Sequence, residues 1–416
     1  MGPSTRSAQR RTARSRRTVI AYRVIDTVAG LEAACAALQS GTGPVAVDVE
    51  RASGFRYSAK AYLVQVFRRG AGVFLFDPPA IGDMSPLQRA IGDAEWVFHA
   101  ASQDLPSLNE LGLMPPTIFD TELSARLLGW PRVGLGAVVE RTLGIVLKKE
   151  HSAADWSTRP LPQDWLEYAA LDVEHLVDVR DIVAEELDAT GKREWAEEEF
   201  EEVRTRAPKP LPAEPWRRVT GVSRLRGRRN LAIARALWLA RDRVARERDV
   251  APGRLFPDRS LLAAVAAQPS SQGALSGVKA FTGRASRTDL AVWWAAFEEG
   301  RTTTDLPAER VPSDALPPVK AWAGRRPEAD ARLKTARPAV EAHAEFLSIP
   351  TENLLTPELL RRVAWEPPQA ASAEAIAAAL AALGARPWQV AQAAPVIARA
   401  FVRAAQAETD ASEAGS

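Results

Sequence analysis

The sequence predicts an α/β domain built on a mixed sheet, followed by a region that is helical throughout. Three observations carry that expectation. Short apolar segments of strand length cluster between residues 22 and 120, and those beyond about residue 80 alternate with helical ones. Pro208, Pro210, Pro212 and Pro215 fall within eight residues and mark a stiff linker. Beyond that linker the helical pattern dominates and strand signals almost vanish.

In chain order, Val24-Ile25 reads as an edge strand. Thr27 can cap a helix running to about Leu38, which Gly41 and Gly43 end. Residues 44–50, Pro-Val-Ala-Val-Asp-Val-Glu, form the next strand. Alternation puts Val45, Val47 and Val49 on one face, with Asp48 and Glu50 on the other. Residues 62–67 and 73–76 follow as strands across the turn 69–72, giving an antiparallel meander. A helix at 85–92, a strand at 95–99, a helix at 103–111 and a strand at 118–119 come next. Helices at 121–128 and 134–143 and a long one from about Pro162 to Thr190 complete the domain.

Past the linker, Leu261-Leu262-x-x-Val265-Ala266-x-x-Pro269 recurs as Leu359-Leu360-x-x-Val363-Ala364-x-x-Pro367. The offset is 98 residues, and Pro252 maps onto Pro350 at that same offset. Two related helical units follow from this. The resulting plan is a disordered basic tail at 1–20, an α/β domain at 21–206, the linker at 207–215, helical units at 216–297 and 319–403, and a disordered polar tail at 408–416.

Composition narrows the function classes. Of 416 residues 46% are apolar and 25% charged, a globular balance with ample length for several cores. One cysteine, Cys35, excludes disulfides within the chain and cysteine-based zinc sites. No stretch approaches the roughly 18 apolar residues of a membrane span. The arginines of the first 17 residues precede no apolar core, so they form no secretory signal and a cytoplasmic location is the default. Net charge is only +2, yet residues 216–248 hold eleven arginines against Asp242 and Glu247. Such a block suits a polyanion or lines a solvated helix face.

The chemistry centres on Asp48 and Glu50. Two carboxylates at the end of an apolar strand repel each other unless a cation joins them. Asp104 opens a helix after strand 95–99, with Ser102 as its cap, and the helix dipole favours an acid there. Tyr168 and Asp172, four apart, share one helical face beside an apolar stripe. Four carboxylates without histidine or cysteine fit a hard cation such as Mg²⁺ or Mn²⁺. Such a set can hold two ions about 4 Å apart, suited to in-line attack at phosphorus. Tyr168 would orient the attacking water, because a phenol with an ordinary pKa near 10 is a poor base.

These segments resemble a known family. Asp48-Val-Glu50, His99-Ala-Ala-x-Gln103-Asp104-Leu and Tyr168-Ala-Ala-Leu-Asp172-Val are similar to the three exonuclease motifs of the DEDD superfamily, tyrosine subtype, and to ribonuclease D within it. The resemblance implies a ribonuclease H-like α/β fold, two divalent metals on Asp48, Glu50, Asp104 and Asp172, and a water positioned by Tyr168. The histidine subtype would place His where Glu167 stands. Arg51 is a departure, since the family carries a bulky aromatic after its first motif. The stretch Lys148 to Pro162 also resembles the family. It offers Lys149 and Arg159 as phosphate contacts and Trp156 as a base-stacking or packing residue. His99 and Gln103 are further substrate-binding candidates, although a histidine ending a strand is commonly a core residue. The helical units resemble the helicase-and-ribonuclease-D C-terminal (HRDC) module, a nucleic-acid binder, the first more closely than the second.

The function implied is a metal-dependent 3′→5′ exoribonuclease that releases 5′-mononucleotides, with tRNA precursors and other small structured RNAs as partners. Two alternatives stay open. A DNA exonuclease would use the same acids, and trimming of matched RNA and DNA oligonucleotides separates the two. A non-catalytic nucleic-acid-binding protein could retain the fold, against which the complete set of five site residues argues. No phosphate-binding Gly-x-x-x-x-Gly-Lys-Ser/Thr loop occurs, so a helicase is disfavoured.

Overall fold

The computed structural model describes residues 21–147, 154–208, 210, 212–281, 287–311 and 314–414. The expected basic tail lies outside them. Six strands form one mixed sheet: β1 (Tyr22–Ile25), β2 (Thr42–Arg51), β3 (Ala61–Arg69), β4 (Gly72–Phe76), β5 (Glu95–Phe98) and β6 (Thr117–Asp120). Their spatial order is β1-β4-β3-β2-β5-β6. The meander β2-β3-β4 is antiparallel, whereas β1 adds parallel to β4, and β5 and β6 add parallel on the far side of β2. The acid-bearing strand β2 is therefore central, with neighbours on both edges.

Helices cover the sheet. Thr27 caps α1 (Val28–Ser40) by accepting the Gly30 N–H, and Leu31, Ala34, Cys35 and Leu38 are the side it buries. Next come α2 (Pro78–Ile81), α3 (Ser85–Ile91), α4 (Leu105–Glu110), α5 (Thr121–Leu127) and α6 (Leu135–Leu143). The long helix expected from Pro162 to Thr190 is two helices, α7 (Gln163–Glu174) and α8 (Leu176–Ala189), parted at His175. The sheet explains the break. α7 packs on β2, β3 and β4, while α8 packs on β2 and β5, and one straight rod cannot follow both halves of a twisted sheet. The acidic run 194–202 lies on α9 (Arg193–Thr205), whose face Ala196, Glu199, Phe200 and Val203 is buried.

The first helical unit contains α10 (Arg228–Arg248), α11 (Pro252–Leu255), α12 (Asp258–Ala267), α13 (Gln272–Ser276) and α14 (Leu290–Thr302). The second contains α15 (Trp322–Arg325), α16 (Pro327–Phe346), α17 (Thr351–Leu354), α18 (Pro357–Trp365), α19 (Ala373–Ala382) and α20 (Pro387–Ala414). A shift of 98 residues superposes the starts of α10, α11 and α12 on those of α16, α17 and α18 to within about one residue, the offset of the sequence repeat. The helix α20 runs through to Ala414, where the sequence reading placed a disordered tail from Glu408. Alanine at 404, 405, 407, 411 and 414 has the highest helix propensity, which favours a continuous helix there. No helix among the described residues is long and apolar enough to cross a membrane.

The cores divide differently from the linkers. The first unit has a core of its own, around Leu237, Phe256, Val265, Trp293 and Phe297. The second unit shares one continuous apolar core with the sheet, from Trp96 and Phe119 through Phe200 to Val340, Trp388 and Phe401.

Candidate active site

Strand β2 and helix α7 meet at the acids. Carboxylate oxygens of Asp48, Glu50 and Asp172 lie within 4.8 Å of one another. Asp48 and Glu50 come from alternate positions of one strand, and Asp172 from the helix laid over it. All three donors are carboxylate oxygens, a set that fits a hard divalent cation and offers nothing to a soft one. Asp104 stands outside that trio but is 5% exposed and interacts electrostatically with Asp48 and Asp172. It is the N-cap position of α4, yet its side chain makes no capping bond, and Ser102 lies in the preceding 3₁₀ turn rather than at the cap.

Without a cation the cluster is electrostatically unfavourable. Burial, then the charges of Asp48, Asp172 and Asp104, pushes the Glu50 carboxyl up to about 10. Burial raises Asp48 as well, against a hydrogen bond from the Val49 backbone. Burial followed by the Asp48 charge raises Asp104 and Asp172. Tyr168 is hydrogen-bonded to Asp172, and burial, Asp172 and Glu50 all raise its phenol, which stays protonated at neutral pH. Among the described residues, Arg51, next along the strand, favours the ionised forms of Asp48, Glu50 and Asp104.

A residue absent from the sequence reading supports this arrangement. Asp120, 1% exposed, caps α5 by accepting the Glu122 and Leu123 N–H groups, and also accepts those of Ala100 and Ala101. It thereby fixes the turn ahead of Asp104, in which Ala100 adopts a left-handed φ of 67°. Asp120-Thr121-Glu122 before a helical stretch is a recognisable capping signal, but its reach back to residue 100 has no local signature.

The substrate-binding candidates fare unequally. Trp156 is 0% exposed and packs 5.3 Å from Trp165 and 6.4 Å from Tyr168, so it presents no face to a base. Arg159 spends all five N–H donors on protein: two on Asp77, and one each on Tyr62 O, Trp156 O and Thr158 O. It braces the loop and has none left for phosphate. His99 is bonded to Thr121 at 2.9 Å, and burial lowers it to about 4, among Glu122 and Arg126 rather than the site acids. Gln103 is exposed on the turn before Asp104. Lys149 lies outside the described residues.

The arginine-rich block is also partly committed. Arg228, Arg229 and Arg235 point at backbone carbonyls between Gly300 and Pro307, and Arg217 reaches Ala308 O, pinning the segment after α14. Arg241 and Arg248 pair with Asp258 and Asp289. Arg218 and Arg224 are exposed. Arg217 and Arg235 also pair with Glu214 and Asp305, whereas the carbonyl partners of Arg228 and Arg229 leave the charge of those two uncancelled.

Three family models match parts of the chain. The sequence model of a family described as 3'-5' exonuclease matches residues 22–188, that of the HRDC domain 230–296, and that of a 3' to 5' exonuclease C-terminal domain 315–401. Ribonuclease D of Gluconacetobacter diazotrophicus is 31% identical over 335 residues, covering 78% of this chain and 81% of that one. A crystal structure of a protein from Bifidobacterium adolescentis superposes with a TM-score of 0.83 at 38% identity, covering 91% of this chain and 96% of the other. The crystal structure of Escherichia coli RNase D, described as an exoribonuclease involved in structured RNA processing, gives 0.65 at 29% identity, covering 88% and 98%.

Proposed function

The chain belongs to the ribonuclease D family and is a 3′→5′ exoribonuclease; from that premise we propose that it trims the 3′ ends of small structured RNAs, tRNA precursors among them, by a two-metal mechanism. The observation that carries the mechanism is the grouping of Asp48, Glu50 and Asp172 oxygens within 4.8 Å, with Tyr168 bonded to Asp172.

In this reading Asp48, Glu50 and Asp172, joined by Asp104, would hold two divalent ions, Mg²⁺ or Mn²⁺. Bound there, such ions would neutralise charge on phosphoryl oxygens and lower the pKa of a water. Ionisation of Glu50 accompanies their uptake, because the carboxyl gives up its proton readily only when a cation replaces the repulsion of its neighbours. Tyr168 keeps its proton and positions the water. Water oxygen would attack phosphorus as the bond to the 3′ oxygen breaks; a proton, supplied overall by that water, ends on the 3′ oxygen as a hydroxyl, and a nucleoside 5′-monophosphate leaves behind a chain one residue shorter. Residues 319–403 are read as a diverged copy of the HRDC-like unit 216–297, whose basic face would hold the RNA backbone with little regard to sequence.

The test is 5′-labelled single-stranded RNA incubated with Mg²⁺ or Mn²⁺. A descending ladder should form, and both EDTA and Asp172→Ala should abolish it. Activity surviving both would sink the two-metal mechanism. Tyr168→Phe should slow the ladder and leave Mn²⁺ affinity unchanged. A precursor tRNA with a 3′ extension, compared with an unstructured RNA of equal length, tests the substrate class. Equal or slower trimming of the precursor would remove tRNA from the proposal.

A further inference from the structure

Gln65 is fully buried, and neither its Oε1 nor its Nε2 makes a hydrogen bond among the described residues. It lies on β3 directly opposite Asp48 on β2. Side chains so paired share a face of the sheet, with Cβ atoms about 4.5–5.5 Å apart. The carboxamide therefore stands on the face that carries Asp48 and Glu50. Its neighbour on the other side is Leu75 of β4, and α7, which brings Tyr168 and Asp172, packs across β2, β3 and β4 above it. An apolar side chain of similar volume would fill this place without the desolvation penalty of an unpaired amide. Asp48 next to it accepts a backbone bond from Val49 and has room for more donors.

We propose that Gln65 is a positioning residue of the metal centre, donating from Nε2 to the Asp48 carboxylate when that group holds a divalent cation. This rests on reading the acid cluster as a metal centre. A glutamine side chain is long enough to span the cross-strand gap by rotation among its staggered wells. Its chemistry suits the task. The amide is neutral at every working pH, so it orients a carboxylate without cancelling the charge that attracts the cation. A lysine or arginine there would compete with the metal. Partners of this kind fix the ligand's orientation, and their loss typically weakens metal affinity or activity 10- to 100-fold.

The test is Gln65→Met, which keeps the volume and removes the amide, with Gln65→Leu as a second shape should the first fail to fold. Three quantities are read: thermal unfolding in EDTA, Mn²⁺ affinity by titration without RNA, and kcat and KM on labelled RNA. The proposal expects unchanged or higher stability in EDTA, Mn²⁺ affinity about tenfold or more weaker, and kcat about tenfold lower with KM little altered. A residue serving only the core would instead lower stability and leave the Mn²⁺ affinity of the folded protein intact, which overturns the proposal. Wild-type protein that takes up no Mn²⁺ would refute the metal-centre reading and this inference with it. Wild-type binding matched by the variant would refute the role of Gln65 alone.

Discussion

The two helical units have the same order of helices at a 98-residue offset, but they join the catalytic domain by opposite physics. The second is fused to it. Trp388 stacks on Trp195 of α9 at 4.9 Å, and its Nε1 donates to Glu199, which Arg386 also engages. Gly129, at φ 70°, lies so close to Ser348 that an added Cβ would sit 2.3 Å from its carbonyl oxygen. Lys192 donates to Leu127 O and Ser348 O at the same seam. The first unit instead docks mainly through hydrogen bonds on the loop that joins β2 to β3 and the start of β3, with the Tyr57 ring packed on its own core. Asp249, at a left-handed φ of 48°, accepts the Ser58 N–H and the Tyr62 hydroxyl. Tyr57 donates to Asp242, Ala251 N–H bonds Phe55 O, and Arg254 stacks over Phe55 at 3.8 Å. A shared apolar core makes one folding unit, whereas a hydrogen-bonded seam between two cores leaves two units that can part.

The largest effect should come from the fused seam. Trp388→Ala removes a buried aromatic and one of the two partners of Glu199, leaving Arg386, at about 3–5 kcal/mol. Denaturant unfolding should show that loss in the transition of the sheet, not in a separate one. A loss confined to the C-terminal helices would break the distinction.

The second test is pH. Burial and its carboxylate neighbours raise Glu50 from 4.5 to about 10, so in EDTA the folded form holds more protons than the unfolded across that range. Stability then falls as pH rises through it, and a divalent cation should reverse the fall. Calorimetry between pH 6 and 9 should show the joint transition of sheet and second unit moving down in EDTA. The first unit's transition should stay in place. Asp48→Asn should flatten the dependence.

Smaller again is Asp249→Gly, which keeps the left-handed backbone and removes the side chain. It should cost about 1–3 kcal/mol at the seam. Amide exchange at Ser58 should quicken, with little change in global unfolding, while Asp249→Asn should restore much of the protection, since asparagine tolerates that φ and can still accept. Unchanged exchange would mean the loop does not depend on the first unit.

The smallest change separates the arginines. Arg218→Gln and Arg224→Gln should leave unfolding untouched and each lower the salt slope of single-stranded RNA binding by about 0.7. Arg229→Gln, aimed at Gly300 and Thr303 carbonyls, should instead loosen the segment after α14.

How far the sequence could be read follows from the range of the forces involved. Alternation placed Asp48 and Glu50 on one face of a strand, and the four-residue spacing joined Tyr168 to Asp172, because both patterns are set by backbone geometry over a few residues. The Thr27 cap was legible for the same reason. The stretch around Trp156 and Arg159 was harder. Its residue types suit a phosphate or a base as well as a loop brace, and only the positions of Asp77 and Tyr62 decided between them. Asp120 was overlooked because two of its four bonds reach back some twenty residues.

The α/β order, the 98-residue offset of the helical pattern and the spacing of the acids and their tyrosine are local periodicities, legible in short windows of sequence. Long-range packing is what joins the second helical unit to the core of the sheet and leaves the first with a core of its own. It alone set the buried amide of Gln65 opposite Asp48. Those outcomes depend on which apolar faces meet and which strands pair across long separations, and no short window of sequence carries that information.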